Sequence, residues 1–224
     1  MKFRHEVKHS VSYADWLVLE SKLSAFMKPD SHVRKDGTTF IRSLYFDTPY
    51  DACLSEKRDG VNRRDKYRIR YYDNDPSYMK LEKKSKQGEL TSKAFCLISE
   101  DEVRRILAGD ILWMLTDSHP LISELYTQMR TRLLKPKSIV DYTRRPFVCD
   151  AGNVRVTLDY DIRTCANPME FLNPGAVTGP GTFGNTVLEV KWDEYLPHII
   201  RDAVNLKGVL RGPFSKYELS RMNG

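Results

Sequence analysis

Charged side chains recur at every second position in several short stretches. Lys66, Arg68, Arg70 and Tyr72 fall on one face of an extended strand, and Tyr67, Ile69 and Tyr71 on the other. Lys80, Glu82, Lys84 and Lys86 share a face opposite Met79 and Leu81. Glu189 and Lys191 alternate with Leu188, Val190 and Trp192, and Arg155, Thr157 and Asp159 share a face within 154–159. Glu6 and Lys8 alternate in the opening segment. Such faces usually belong to the solvated side of an antiparallel sheet. Here Arg68 stands beside Arg70 and Lys80 beside Lys84, and adding Arg4, Lys8 and Arg155 makes that reading poorly balanced, because neighbouring like charges repel. The opposite faces are large and apolar and need cover, so a closed sheet could turn its charged sides inward. An interior of this kind is costly unless a polyanion and metal ions fill it. Arginine forks and lysine ammonium groups suit phosphate oxygens. Glu6, Glu82 and Glu189 supply oxygen ligands for Mg²⁺ or Mn²⁺, with phosphates completing the shell.

The elements that must position these residues follow from periodicity. A strand is expected over 3–9, then a capping box from Ser12 to Asp15 opens a helix that Pro29 ends. A strand over 41–47 leads to a short helix from Thr48-Pro49 to about Lys57, stopped at Asp59-Gly60. Strands over 66–72 and 79–86 flank a turn at 73–77. After the turn at Gln87-Gly88-Glu89 a further strand runs from Lys93 to Leu97. Ser99 and Glu102 form a second capping box, heading a helix to Ala108, and another helix covers 121–133. Strands return at 139–145, continuing past Pro146 to Asp150, then at 154–159 and 186–192. The Gly- and Pro-rich stretch 166–185 reads as a long loop or lid without a phosphate-loop pattern. Helices are expected around 196–205 and 215–222. This is one α+β domain over 1–224 with about eight strands.

Composition sets the outer bounds. The chain has 224 residues, 36 Lys+Arg against 30 Asp+Glu, a formal charge of +6, and 41% hydrophobic residues. That hydrophobic content excludes global disorder. No apolar run approaches the roughly 18–20 residues of a membrane span, and the start shows no apolar signal region, so a cytoplasmic location is expected. Cys53, Cys96, Cys149 and Cys165 lie far apart without metal or redox spacing and read as reduced thiols. His5 and His9 share a strand face, but that face lies opposite Lys8, and a metal site there is not favoured. Lys83-Lys84-Ser85-Lys86 lacks interleaved stacking aromatics, so nucleic acid is not an expected partner. Trp16, Trp113 and Trp192 read as core residues.

The same segments resemble the VTC domain, the polyphosphate polymerase domain of the vacuolar transporter chaperone type within the triphosphate tunnel metalloenzyme superfamily. The resembling pieces, in order, are Arg4-His5-Glu6-Val7-Lys8-His9, Ser43-Leu44-Tyr45-Phe46-Asp47-Thr48-Pro49, Tyr67-Arg68-Ile69-Arg70-Tyr71, Leu81-Glu82-Lys83-Lys84 with Thr91-Ser92-Lys93-Ala94-Phe95, Tyr142-Thr143-Arg144-Arg145-Pro146-Phe147 followed by Val154–Asp159, Val187-Leu188-Glu189-Val190-Lys191, and Phe214-Ser215-Lys216-Tyr217. The resemblance implies an antiparallel eight-stranded β-barrel tunnel with flanking helices. It implies transfer of the terminal phosphate of ATP onto polyphosphate with Mn or Mg as cofactor. Carried over by position, Lys8, Arg68, Arg70, Lys84, Lys93, Arg144, Arg155, Ser215 and Lys216 contact phosphates. Glu189 is the metal ligand, supported by Glu6 and Glu82, while Lys80 and Lys191 join the phosphate-binding set. Ser215-Lys216 taken alone could simply begin a helix. Unlike the eukaryotic complexes, this sequence shows neither an inositol-phosphate-sensing domain nor membrane helices; a membrane partner is unknown. A tunnel-fold triphosphatase and a non-catalytic polyphosphate-binding module are the alternative readings, because fold alone does not fix chemistry.

Overall fold

The computed structural model describes residues 5–88, 90–182, 184, 186–205 and 214–222. Phe3 and Arg4, expected in the opening strand, and Glu89, expected in a turn, lie outside them. In chain order the elements are β1 (His5–Val11), α1 (Tyr13–Ser24), β2 (Thr39–Asp47), α2 (Ala52–Arg58), β3 (Arg63–Tyr72), β4 (Asp75–Gln87), β5 (Leu90–Ile98), α3 (Glu100–Leu107), α4 (Pro120–Thr131), β6 (Lys135–Cys149), β7 (Val154–Cys165), β8 (Thr186–Trp192), α5 (His198–Val204) and α6 (Lys216–Met222). The expected class stands: an antiparallel sheet of eight main strands with flanking helices, to which the two-residue strands Lys28–Pro29 and Gly179–Pro180 also pair. The chain packs as two compact units, one of 1–40, 142–163 and 180–216, the other of 41–141, 164–179 and 217–224.

In the first unit β1 pairs with β8 and β8 with β7, all antiparallel. Both expected partners of the Ser12–Asp15 capping box are in place, so α1 starts where its side chains can satisfy free backbone N–H groups. Leu19 and Leu23 of α1, Ile200 and Ala203 of α5, and Val156, Leu158, Leu188 and Val190 of the strands form its core. Each strand therefore gives its apolar alternate to the helices, and the charged alternates occupy the other face.

The second unit repeats this division on β2, β3, β4 and β5. Tyr67, Ile69, Tyr71, Met79 and Leu81 pack against Val103 and Ile106 of α3 and Leu121, Ile122 and Leu125 of α4. A fully buried leucine such as Leu81 contributes about 2–5 kcal/mol relative to alanine. The β3–β4 turn is tighter than expected. Asp73 and Asn74 both take positive φ, 51° and 57°, so two residues suffice and β4 begins at Asp75.

The stretch expected as a lid divides. Pro168–Leu172 forms a 3-10 turn whose Phe171 is buried. The Tyr71 hydroxyl donates to the Phe171 carbonyl at 2.9 Å, and Arg42, held by Asp141 at 2.9 and 2.7 Å, donates to the Asn173 carbonyl at 2.5 Å. This part is a plug in the core, anchored by a buried ion pair. The four cysteines are unbridged as expected. No helix among the described residues is long and apolar enough to cross a membrane.

Candidate functional site

Strand register turns the sequence alternation of the second unit into rows. Lys66 of β3 lies opposite Lys84 of β4, which lies opposite Lys93 of β5. The next row is Tyr45, Arg68, Glu82 and Phe95, and the next Ser43, Arg70, Lys80 and Leu97. Arg64 and Lys86 extend the same face. Across β3–β5 it carries eight cations (Arg64, Lys66, Arg68, Arg70, Lys80, Lys84, Lys86 and Lys93) and one carboxylate, Glu82. Arg68 meets Glu82 at 2.5 Å and the Tyr45 hydroxyl at 3.3 Å. Arg70 donates to Ser43 Oγ at 3.2 Å and stands 3.9 Å from Glu82. Burial opposes ionisation of Glu82, but the charges of Arg68 and Arg70 outweigh it and lower its pKa. Burial pulls the Lys66 ammonium down to about 8; Tyr45 opposes the shift, and the neighbouring charges of Lys57, Arg64 and Lys84 add to it. Lys66 lies 6.0 Å from the Tyr217 ring. Lys80 sits over the Tyr78 and Phe95 rings, at 5.0 and 5.2 Å. Lys93, on β5, is exposed.

The Tyr45–Pro49 segment is explained by this arrangement. Tyr45 reaches Arg68, Phe46 enters the core, and the Asp47 carboxylate accepts from the backbone N–H groups of Thr48, Cys53 and Leu54 at 2.7, 2.8 and 3.2 Å. Asp47 also accepts the Tyr217 hydroxyl. This side chain therefore fixes α2 behind the strand that presents Tyr45.

The first unit holds a different charge pattern. Register sets Glu6 opposite Lys191 and Lys191 opposite Arg155; in the next row Lys8 faces Glu189 and Glu189 faces Thr157. Lys8 lies 2.8 Å from Glu6 and 3.6 Å from Glu189, while Lys191 lies 2.7 Å from Glu189 and 3.9 Å from Glu6. Glu189 is buried, which disfavours its charge, yet Lys191 and Lys8 hold the carboxyl far below the usual range. Arg144 makes a bidentate pair with Asp159 at 2.6 and 2.8 Å and stands 3.9 Å from Glu189. Lys216 meets the same Asp159 at 2.5 Å and lies 4.5 Å from the Tyr142 ring. Burial would raise the Asp159 pKa, but Arg144 and Lys216 bring it down to about 2. Arg155 pairs with Asp30 at 3.0 Å. Ser215 is half-buried immediately before α6.

Thus Arg68, Arg70, Lys80, Lys84, Lys93 and Glu82 gather on one face of the second unit. Lys8, Glu6, Glu189, Lys191, Arg144, Arg155 and Lys216 gather in the first. Asp159, Asp30, Lys66, Tyr45 and Ser43 were not singled out as site residues. Asp159 shares the alternation of Arg155 and ends the Val154–Asp159 piece of the family resemblance, its two sequence signals. For the metal, Glu189 and Glu6 form a pair of carboxylates in the first unit, and Glu82 belongs with Arg68 in the second. No group of three or more His, Cys, Asp or Glu side chains suited to a metal occurs among the described residues. Two carboxylates still fit Mg²⁺ or Mn²⁺, which take one or two such ligands and complete the shell with phosphates and water. His5 stacks on Trp192 at 5.1 Å, a packing role.

A family model for the VTC domain matches residues 3–222, nearly the whole chain. The chain belongs to the VTC domain family. No match was found among curated proteins. Two solved structures share the fold of this VTC domain. One is the PH1819 protein from Pyrococcus horikoshii OT3, 13% identical, with a TM-score of 0.52 over 99% of this chain and 100% of that one. The other is a Bacillus halodurans protein provisionally described as an adenylate cyclase. It is 13% identical, with a TM-score of 0.51 over 86% of this chain and 80% of that one.

Proposed function

We propose that this VTC domain is a metal-dependent phosphotransferase that moves the terminal phosphate of ATP onto a growing polyphosphate chain. The observation that carries the reading is the face of β3–β5, where eight cations meet one carboxylate. Self-repulsion makes such a face unfavourable alone, and a chain of phosphates relieves it. In this reading Arg68, once freed from Glu82, and Arg70 grip phosphate oxygens, and Lys84, Lys93 and Lys80 hold the acceptor as point charges. Arg144, Arg155, Lys216, Ser215, Lys8 and Lys191 serve the phosphates bound by the first unit.

In the reaction the bond from the γ-phosphorus to the β–γ bridging oxygen breaks, and a terminal oxygen of the acceptor chain forms the new one. ADP departs. The attacking oxygen is already ionised at neutral pH, so no side chain has to remove a proton. The protein's work is alignment and neutralisation of charge on the transferred group. A Mg²⁺ or Mn²⁺ ion held by Glu189, with Glu6 beside it, would supply Lewis-acid stabilisation of phosphate oxygens. Glu82 holds the Arg68 guanidinium until phosphate displaces it.

The test is incubation of pure protein with ATP and Mn²⁺, followed by gel separation of products. Lengthening polyphosphate is the expected result. Free phosphate without chain growth would make the protein a triphosphatase, and binding without turnover a polyphosphate-binding module; either defeats the polymerase reading.

A further inference from the structure

Thr157 presents a buried hydroxyl that no protein group among the described residues hydrogen-bonds. The residue is 3% exposed and lies on β7 directly opposite Glu189. Its chain neighbours Val156 and Leu158 enter the apolar core of the first unit. Alternation therefore turns Thr157 to the other face, the one shared by Glu189, Lys191 and Lys8. Its Oγ1 is buried without a hydrogen-bond partner. Two residues earlier on the same face, Arg155 Nε is also buried without one, although Nη2 of that guanidinium reaches Asp30 at 3.0 Å.

A buried polar atom left unsatisfied destabilises a fold, and native proteins contain few of them. Valine has nearly the shape of threonine and would carry no such penalty. The chemistry of the two atoms also limits what could satisfy them. Arginine Nε–H only donates, and a hydroxyl can donate. A partner for both must offer acceptor oxygens. Lys8 and Lys191, which share Glu189 and Glu6 as counterions, and Arg155 beside them supply cations for an anionic one, and the spacing between alternate residues of a strand, about 6.4–6.8 Å, suits oxygens of one short phosphate segment.

We propose that Thr157 is a phosphate-binding residue, its hydroxyl donating to an oxygen of a phosphate segment that Arg155 Nε also holds. The proposal rests on the phosphotransferase reading above and adds to it a neutral donor beside Glu189. A neutral donor is useful at that position. It binds a phosphate oxygen without competing for the Glu189 carboxylate, as another cation would.

The test uses inorganic tripolyphosphate as probe, with binding measured by calorimetry and stability by thermal melting in the absence of probe. Thr157→Val should melt at or above the wild-type temperature, because the unsatisfied hydroxyl is gone. It should bind tripolyphosphate about tenfold more weakly or worse, the loss expected for a hydrogen bond to a charged acceptor. Thr157→Ser should keep wild-type affinity, and Thr157→Ala should bind as weakly as the valine variant even if it melts lower. Unchanged affinity in Thr157→Val, or a serine variant as weak as the valine one, overturns the proposal. Arg70→Ala separates the two levels. If it loses tripolyphosphate binding while Thr157→Val keeps it, the phosphate-binding face stands and the Thr157 role falls. If wild-type protein binds no tripolyphosphate, both fall.

Discussion

Replacing Asp159 by asparagine removes one negative charge from a site that two cations share. The carboxylate is fully buried and bonds Arg144 at 2.6 and 2.8 Å and Lys216 at 2.5 Å. Asparagine keeps the shape and one acceptor oxygen but takes the shared counterion from the Lys216 ammonium and the Arg144 guanidinium, leaving Arg144 only the more distant Glu189 at 3.9 Å. Two routes give the size of the loss. Breaking a buried pair from one side costs about 3–5 kcal/mol. The shift of the Asp159 pKa from 3.8 to about 2 is worth roughly 2–3 kcal/mol of native-state stability at neutral pH. A loss of about 2–5 kcal/mol corresponds to a Tm lower by about 4–20 °C for a protein of this size. Scanning calorimetry at pH 7 measures it directly. The sign in acid is also fixed. Because the folded pKa is depressed, this stabilisation is complete above about 4 and is lost as pH falls through about 2. The difference between wild type and Asp159→Asn should therefore shrink as pH falls through that window. A variant that melts within about 2 °C of wild type at pH 7 would show that Arg144 and Lys216 do not depend on Asp159, and the account of the first unit's charge balance would be wrong.

Arg70→Ala should abolish chain growth while leaving Tm unchanged or higher, since it relieves repulsion on the cationic face; a large drop in Tm would make Arg70 a structural ion-pair partner instead. Glu189→Gln should remove the metal dependence of turnover, and an unaltered Mn²⁺ titration of the rate would eliminate the ligand role. Lys66, with its pKa lowered to about 8 by burial, adds its charge to the cationic face only while protonated. Tripolyphosphate affinity should therefore fall as pH rises through about 8, whereas folding stability should rise from about 8 towards 10.5, where the unfolded chain still holds the proton. In Lys66→Met both trends should flatten, and a persisting affinity drop would assign the titration to another group.

The charged strands could be read closely from sequence because period-two alternation is the same signal that decides which side enters the core. Tyr67, Ile69 and Tyr71 could only face the helices, so Lys66, Arg68 and Arg70 had to face away. Helix starts were equally legible at Ser12 and Ser99, where the capping carboxylates stand three residues on. Register was not legible. That Lys66, Lys84 and Lys93 form one row depends on how Asp73-Asn74 and Gln87-Gly88 turn the chain, and a shift of one residue would have turned every cation to the apolar side. The burial of Phe171 was hidden in a Gly- and Pro-rich stretch, whose composition reports backbone freedom and says nothing of the single aromatic that anchors it. Asp159 was visible as a position on a charged face. Its bonds to Arg144, on another strand, and to Lys216, far along the chain, are long-range facts that no local pattern contains.

The lone acid on the face of β3–β5 has a consequence for ligand length. Without ligand, Glu82 occupies Arg68, acting as a resident competitor for that guanidinium. A single orthophosphate gains too few contacts to displace it. Each further phosphoryl unit reaches another cation in the rows while the displacement is incurred only once. Affinity should thus climb steeply from orthophosphate to tripolyphosphate and longer chains, and Glu82→Gln should flatten that climb by letting short anions in. A selectivity filter for chain length would then reside in one carboxylate, with no gate or moving part required.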